Sequence, residues 1–71
     1  MEFLLVTYRG NDCEVIIDGI SGAWVTNQVL ILGAGHHLVT LSKPRGTFAP
    51  PEREVDLYGT SPQHPTEVIF T

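Results

Sequence analysis

Three histidines, His36, His37 and His64, are the side chains best equipped for chemistry in this sequence. Neutral imidazoles bind zinc, nickel and copper, and two or three of them converging make a metal site. The spacing argues against one. Adjacent residues on an extended strand point to opposite faces, so His36 and His37 cannot both reach one ion. His64 stands in a proline-flanked loop, 62–65, with no sequence-defined proximity to either. No metal ligand set and no cofactor is expected. An imidazole beside a turn has a simpler task, satisfying a backbone carbonyl or flanking a core strand.

The other reactive types read the same way. Cys13 would act as a nucleophile only with a base to lower its pKa. No Cys-His-acid arrangement is recognisable, and its alternation with Val15 and Ile17 turns it inward as a packed thiol. General acid–base work needs carboxylates that converge in a water-excluding pocket. Asp18 with Glu14, and Glu52 with Glu54 and Asp56, instead decorate turns and one strand face, where Glu54 and Asp56 make a solvated edge that discourages strand addition. No enzyme is expected. Trp24 has two readings: it stacks on a sugar or a protein partner, with Tyr8, Phe48 and Tyr58 completing a platform, or it closes one end of the fold.

Stepping from these side chains to the chain that holds them, 71 residues make one domain, 1–71. A chain of this size buries only about 60% of the surface its unfolded form exposes, so its core is small. Eight acidic against four basic side chains give a net charge of -4. Arg9, Lys43, Arg45 and Arg53 are too few to track a phosphate backbone, which excludes nucleic acid as a partner. A single cysteine excludes an internal disulfide. Met1 leads directly into an alternating segment with no basic and apolar leader, and no apolar run approaches the roughly 18 residues of a membrane span. The expected location is the cytoplasm as the sequence stands, or the cell envelope if a leader has been removed.

Runs rich in Val, Ile, Leu, Thr and aromatics recur at 3–8, 13–17, 28–32, 37–42, 54–58 and 67–71, each bounded by Gly, Pro, Asn or Asp, with a short further strand at 23–26. No window carries a helical apolar stripe free of Gly and Pro. The predicted fold is all-β, a small antiparallel β-sandwich of six or seven short strands. Period two places Leu4, Val6, Cys13, Val15, Ile17, Val39, Leu41, Val55, Leu57, Val68 and Phe70 in one interior. Leu5, Ile16 and the continuous Val29-Leu30-Ile31-Leu32 break the alternation. That implies a strand covered on both faces or an apolar patch that meets another chain. Asp18-Gly19 and Gly33-Ala34-Gly35 read as hairpin turns, and Lys43-Pro44-Arg45-Gly46 with Ala49-Pro50-Pro51 as one longer exposed loop.

Laid end to end, Val15-Ile16-Ile17-Asp18-Gly19, Gly22, the apolar strand after it, Gly35 with His37 and Val39, an aromatic-Pro loop and Val55-x-Leu57 resemble the PEGA domain family over nearly the whole chain. Gly10-Asn11-Asp12-Cys13 stands where the family carries its Pro-x-Gly-Ala turn, and Thr26-Asn27 where it carries Thr-Pro. The resemblance implies a β-sandwich used as an accessory module, often in exported or envelope proteins, with a structural residue at His37 and no catalytic residues to carry over. The expected function is a non-catalytic protein-interaction or scaffold module acting through a β edge or an apolar patch, by self-association or by docking to a protein partner. The alternative is a carbohydrate or envelope-polymer binding module using Trp24 and its aromatic neighbours. The candidate interaction surface is Trp24, Val29, Leu30, Ile31 and Leu32.

Overall fold

Alternating side chains become strands along most of the chain. The computed structural model describes residues 1–9, 12–44 and 46–71. Gly10 and Asn11 of the 10–13 turn, and Arg45 of the 43–46 connection, lie outside the described residues. Within them run β1 (Glu2–Tyr8), β2 (Glu14–Ile17), β3 (Ile20–Val25), β4 (Val29–Leu32), β5 (Gly35–Leu41), β6 (Arg53–Leu57) and β7 (Thr66–Phe70). No helix of the described residues is long and apolar enough to cross a membrane. The strands form two sheets, β4-β1-β7 and β3-β2-β5-β6, with every neighbouring pair antiparallel except β1 with β7.

The inner faces follow period two. Leu4 and Val6, Val15 and Ile17, Leu30 and Leu32, Val39 and Leu41, Leu57, and Val68 and Phe70 meet in one core. Cys13, Trp24 and Val55 are half-buried against it. The described residues of the 42–52 connection are mostly exposed, as its prolines imply, with Phe48 the exception. Phe48 turns into the core edge-on to Phe70, with ring centroids 5.7 Å apart, and Ala49 exchanges two 2.7 Å main-chain bonds with Thr71. An aromatic side chain in a proline-rich loop is thus used to close the open end of β7.

The two predicted turns part company. Asp18 and Gly19 have φ of 53° and 78° and join the paired strands β2 and β3, as a hairpin turn of type I′ requires. Gly33-Ala34-Gly35 is not a hairpin. β4 pairs with β1, whereas β5 pairs with β2 and β6, so the link carries the chain from one sheet to the other. A short glycine-rich link suits either task, and the choice belongs to the distant strands that each neighbour pairs with.

β3 starts earlier than alternation suggests because it is bulged. Val15 lies opposite Trp24 but Ile16 lies opposite Ser21, leaving Gly22 and Ala23 unmatched, the latter at φ 63°. Gly22 is needed there: a Cβ on it would sit 2.8 Å from the Trp24 ring. After β3, Thr26 and Asn27 close the corner. The buried Thr26 hydroxyl accepts the Cys13 N–H at 3.1 Å, and the Asn27 carboxamide both accepts from and donates to the Tyr8 main chain.

Candidate functional site

β5 sends its two histidines to opposite sides, as period two demands. On the outer face of its sheet, His36 Nδ1 lies 2.9 Å from Asp56 Oδ1 and Nε2 lies 3.7 Å from Glu54 Oε1. The two carboxylates flank opposite edges of the ring and cannot share an ion with it. His64 is bridged to Ser61 in the β6–β7 connection. Among the described residues, no three His, Cys, Asp or Glu side chains are grouped to hold a metal. The hydrogen bond to Asp56 raises the His36 pKa, helped by Glu54.

His37 lies at the end of the sandwich, where it joins two connections. Its Nδ1 is 2.7 Å from Asp18 Oδ2 in the β2–β3 turn, and its Nε2 is 2.8 Å from the Gly33 carbonyl in the β4–β5 crossing. The Gly33 carbonyl and an ionised Asp18 carboxylate both accept, so the site favours the ring with both nitrogens protonated. The Gly33 bond first and the Asp18 carboxylate second raise its pKa. Asp18 in turn accepts the Leu38 N–H at 2.8 Å, and this bond, then His37, lowers its own pKa. The Asp–His contact alone resembles part of a hydrolase triad, but there the other ring nitrogen accepts from a nucleophile, whereas here it faces the Gly33 carbonyl. Here it meets no nucleophile, and it holds two loops together.

Cys13 is half-buried, and desolvation raises its pKa, which keeps it a thiol rather than a thiolate. Asp18 is occupied by His37 and Leu38. Glu54 and Asp56 stand exposed on the edge strand β6. No pocket opens among the described residues.

The candidate interaction surface is only partly on the outside. Leu30 and Leu32, expected on it, are 5% and 8% exposed and belong to the core, because alternate residues of β4 point inward. Val29 and Ile31 point outward, at 44% and 56% exposed, so β4 is covered on one face only. Trp24 is half-buried, folded over Gly22 and packed on the core. Phe48 is interior while Tyr58 is exposed, so the four aromatics do not share a platform.

Register shows what surrounds Val29 and Ile31. Ile31 lies opposite Phe3, Val29 opposite Leu5, Leu5 opposite Glu67, and Thr7 opposite Ile69, all on the outer face of β4-β1-β7. Phe3, Leu5, Val29 and Ile31 form an apolar group across β1 and β4, with Phe3 and Leu5 half-buried, while the exposed Ile69 stands beside Thr7 and Glu67 on the β7 side. The exposed Glu67 shares this outer face and accepts a 2.7 Å bond from the Thr7 hydroxyl on it. Leu5 already breaks the alternation in the sequence, whereas Phe3 and Ile69 were not expected there. The signal in the sequence was the doubled apolar pairs Phe3-Leu4, Leu5-Val6 and Val68-Ile69, which place one apolar residue on each side of a strand. No family model, curated protein or solved structure matches the chain.

Proposed function

We propose that this chain is a non-catalytic protein-interaction module, a divergent relative of the PEGA domains, that works through the outer face of β4-β1-β7. One observation carries the reading. On a chain of net charge -4, Phe3 and Leu5 of β1 lie opposite Ile31 and Val29 of β4 on one outer face, where Val29, Ile31 and, on the β7 side beside Glu67, Ile69 are exposed to solvent. Exposed apolar residues scattered singly are ordinary, while a contiguous group of them on one face marks a place where another surface sits. The histidines of β5 give no competing reading, since His36 and His37 are each engaged by carboxylates or a carbonyl. The family relation rests on the sequence resemblance alone, carried by Val15-Ile16-Ile17-Asp18-Gly19 and by Gly35 with His37 and Val39.

The test is a double substitution, Ile31→Lys with Ile69→Lys, which charges both flanks of the face without touching the core. Affinity capture by the wild-type domain and by the variant is compared, with circular dichroism confirming that the variant folds. A partner retained by the wild type and lost by the folded variant is the expected result. Equal capture by both proteins, or no specific capture by either in the absence of self-association, overturns the proposal.

A further inference from the structure

The four sheet edges are unequally guarded. β3 is kinked by its bulge at Gly22 and Ala23, and β6 carries Arg53, Glu54 and Asp56. β7 carries Glu67 and is continued by Thr71, whose main chain is taken by Ala49. Bulges, charges and covering chain are the devices by which edges resist another strand. β4 has none of them. Val29–Leu32 is free of charge, proline and glycine, and among the described residues it is hydrogen-bonded by β1 alone. In an antiparallel ladder alternate residues aim both N–H and C=O away from the partner, so β4 offers unpaired main-chain groups at its open side.

Area decides how a partner would use this corner of the molecule. Three strands about 4.8 Å apart and roughly 20 Å long give a flat footprint on the order of 300 Å². Doubled for side-chain relief, that still falls short of the roughly 800 Å² each partner contributes to a standard interface. A body resting on the face alone is therefore poorly held, whereas an added strand gains main-chain bonds and widens the apolar face at once.

A second β4 satisfies the geometry. When two copies pair antiparallel about a two-fold axis normal to the sheet, with Leu30 opposite its own copy, Val29 falls opposite Ile31 of the second copy and Ile31 opposite its Val29. Outer side chains meet outer side chains, and the leucines stay on the inner faces. Charge agrees: a chain of net charge -4 repels its copy in general, yet β4 brings no ionised side chain to the seam. Pairing through β6 would instead bring the acidic Glu54 and Asp56 of both copies together.

We propose that the chain self-associates through β4, the two β4-β1-β7 sheets joining edge to edge into one continuous sheet ordered β7-β1-β4-β4-β1-β7. The proposal rests on the interaction-module reading and names a second copy as the occupant. The experiment is sedimentation equilibrium from about 10 μM to about 1 mM, on the wild type, Ile31→Lys and Ile69→Lys, with residue-resolved amide exchange of the wild type at both ends of that range. A concentration-dependent dimer is expected. Ile31→Lys should raise its dissociation constant about tenfold or more, Ile69→Lys should change it little, and alternate β4 amides should exchange more slowly as dimer accumulates. A strict monomer, or a dimer indifferent to Ile31→Lys whose β4 amides exchange freely, overturns the proposal. A strict monomer that still captures another protein through the face loses the self-pairing and keeps the interaction module.

Discussion

At the scale of single residues, His37 is where the chain's stability meets pH. Its folded pKa is raised, so its contribution is fully present below the unfolded histidine value and is lost as pH rises through the folded value. Asp18 runs the other way. Its folded pKa is lowered, so its contribution is present above the unfolded carboxylate value and is lost as pH falls through the folded one, and Glu2, bonded to Thr60, acts in the same sense. The domain should be most stable on the mildly acidic side of neutrality and weaken toward alkaline pH. His36, on the far face against Asp56 and Glu54, titrates in the same direction as His37 but is exposed, so solvent screens its share. Urea unfolding at a series of pH values checks this. Wild type should lose stability above about pH 6.5, and His37→Gln should flatten that decline, whereas His36→Gln should leave most of it in place. An unchanged alkaline slope in His37→Gln would mean that the ring is neutral in the folded state. The sequence carried the structural role of His37 and its separation from His36. It did not carry the acceptors, because Asp18 and Gly33 come to the ring only when two different connections meet.

At the scale of elements, two glycines separate two physical demands. Gly19 has φ 78° with open space around its missing Cβ, so Gly19→Ala meets only the backbone penalty of a left-handed residue, about 1 kcal/mol. Gly22→Ala meets a ring instead. The new methyl group would stand 2.8 Å from two carbons of the Trp24 indole and 3.0 Å from a third, so the ring must move out of its place against the core, at a cost of about 1–3 kcal/mol. Thermal melts should rank Gly22→Ala below Gly19→Ala, with a shift of Trp24 fluorescence in the former only. The reverse ranking would mean that the indole yields freely. These elements also mark how far local pattern reaches. The strands at 3–8, 13–17, 28–32, 37–42, 54–58 and 67–71 all lie close to observed ones, because half-buried strands write their period into the sequence. The start of β3 at Ile20 was hidden since its bulge breaks that period at Gly22 and Ala23. The Gly33-Ala34-Gly35 link was misread as a hairpin because its letters specify a turn and say nothing about which strand lies beyond it.

At the scale of the whole molecule, most of the interior was legible, missing Leu30, Leu32 and Phe48 and overstating Cys13 and Val55, and the surface was only half so. Burial is dictated by alternation within each strand, but a shared outer face depends on which strands become neighbours. Phe3, Leu5 and Ile69 join Val29 and Ile31 only through the pairing of β1 with β4 and of β1 with β7, elements far apart in the chain. The parallel β1–β7 pair also makes the last strand a condition of the first, since β1 is central in its sheet and loses one of its two neighbours without β7. Phe70 is the anchor of that arrangement. It is almost wholly buried, meets Phe48 at an interplanar angle of 74°, and is followed by Thr71 in its two bonds to Ala49. Phe70→Ala removes the ring from both partners, and truncating a buried phenylalanine costs about 3–5 kcal/mol. A domain this small has a total stability near the low end of the usual range, roughly 5 kcal/mol. The substitution should therefore leave the chain largely unfolded at 37 °C, read as loss of the cooperative thermal transition and of dispersed amide resonances. Ile69→Ala, one residue away on the outer face, should melt within about 1 kcal/mol of wild type. Equal effects at 69 and 70 would mean that the two faces of β7 are not distinguished, and the division between core and interaction face would fail with them.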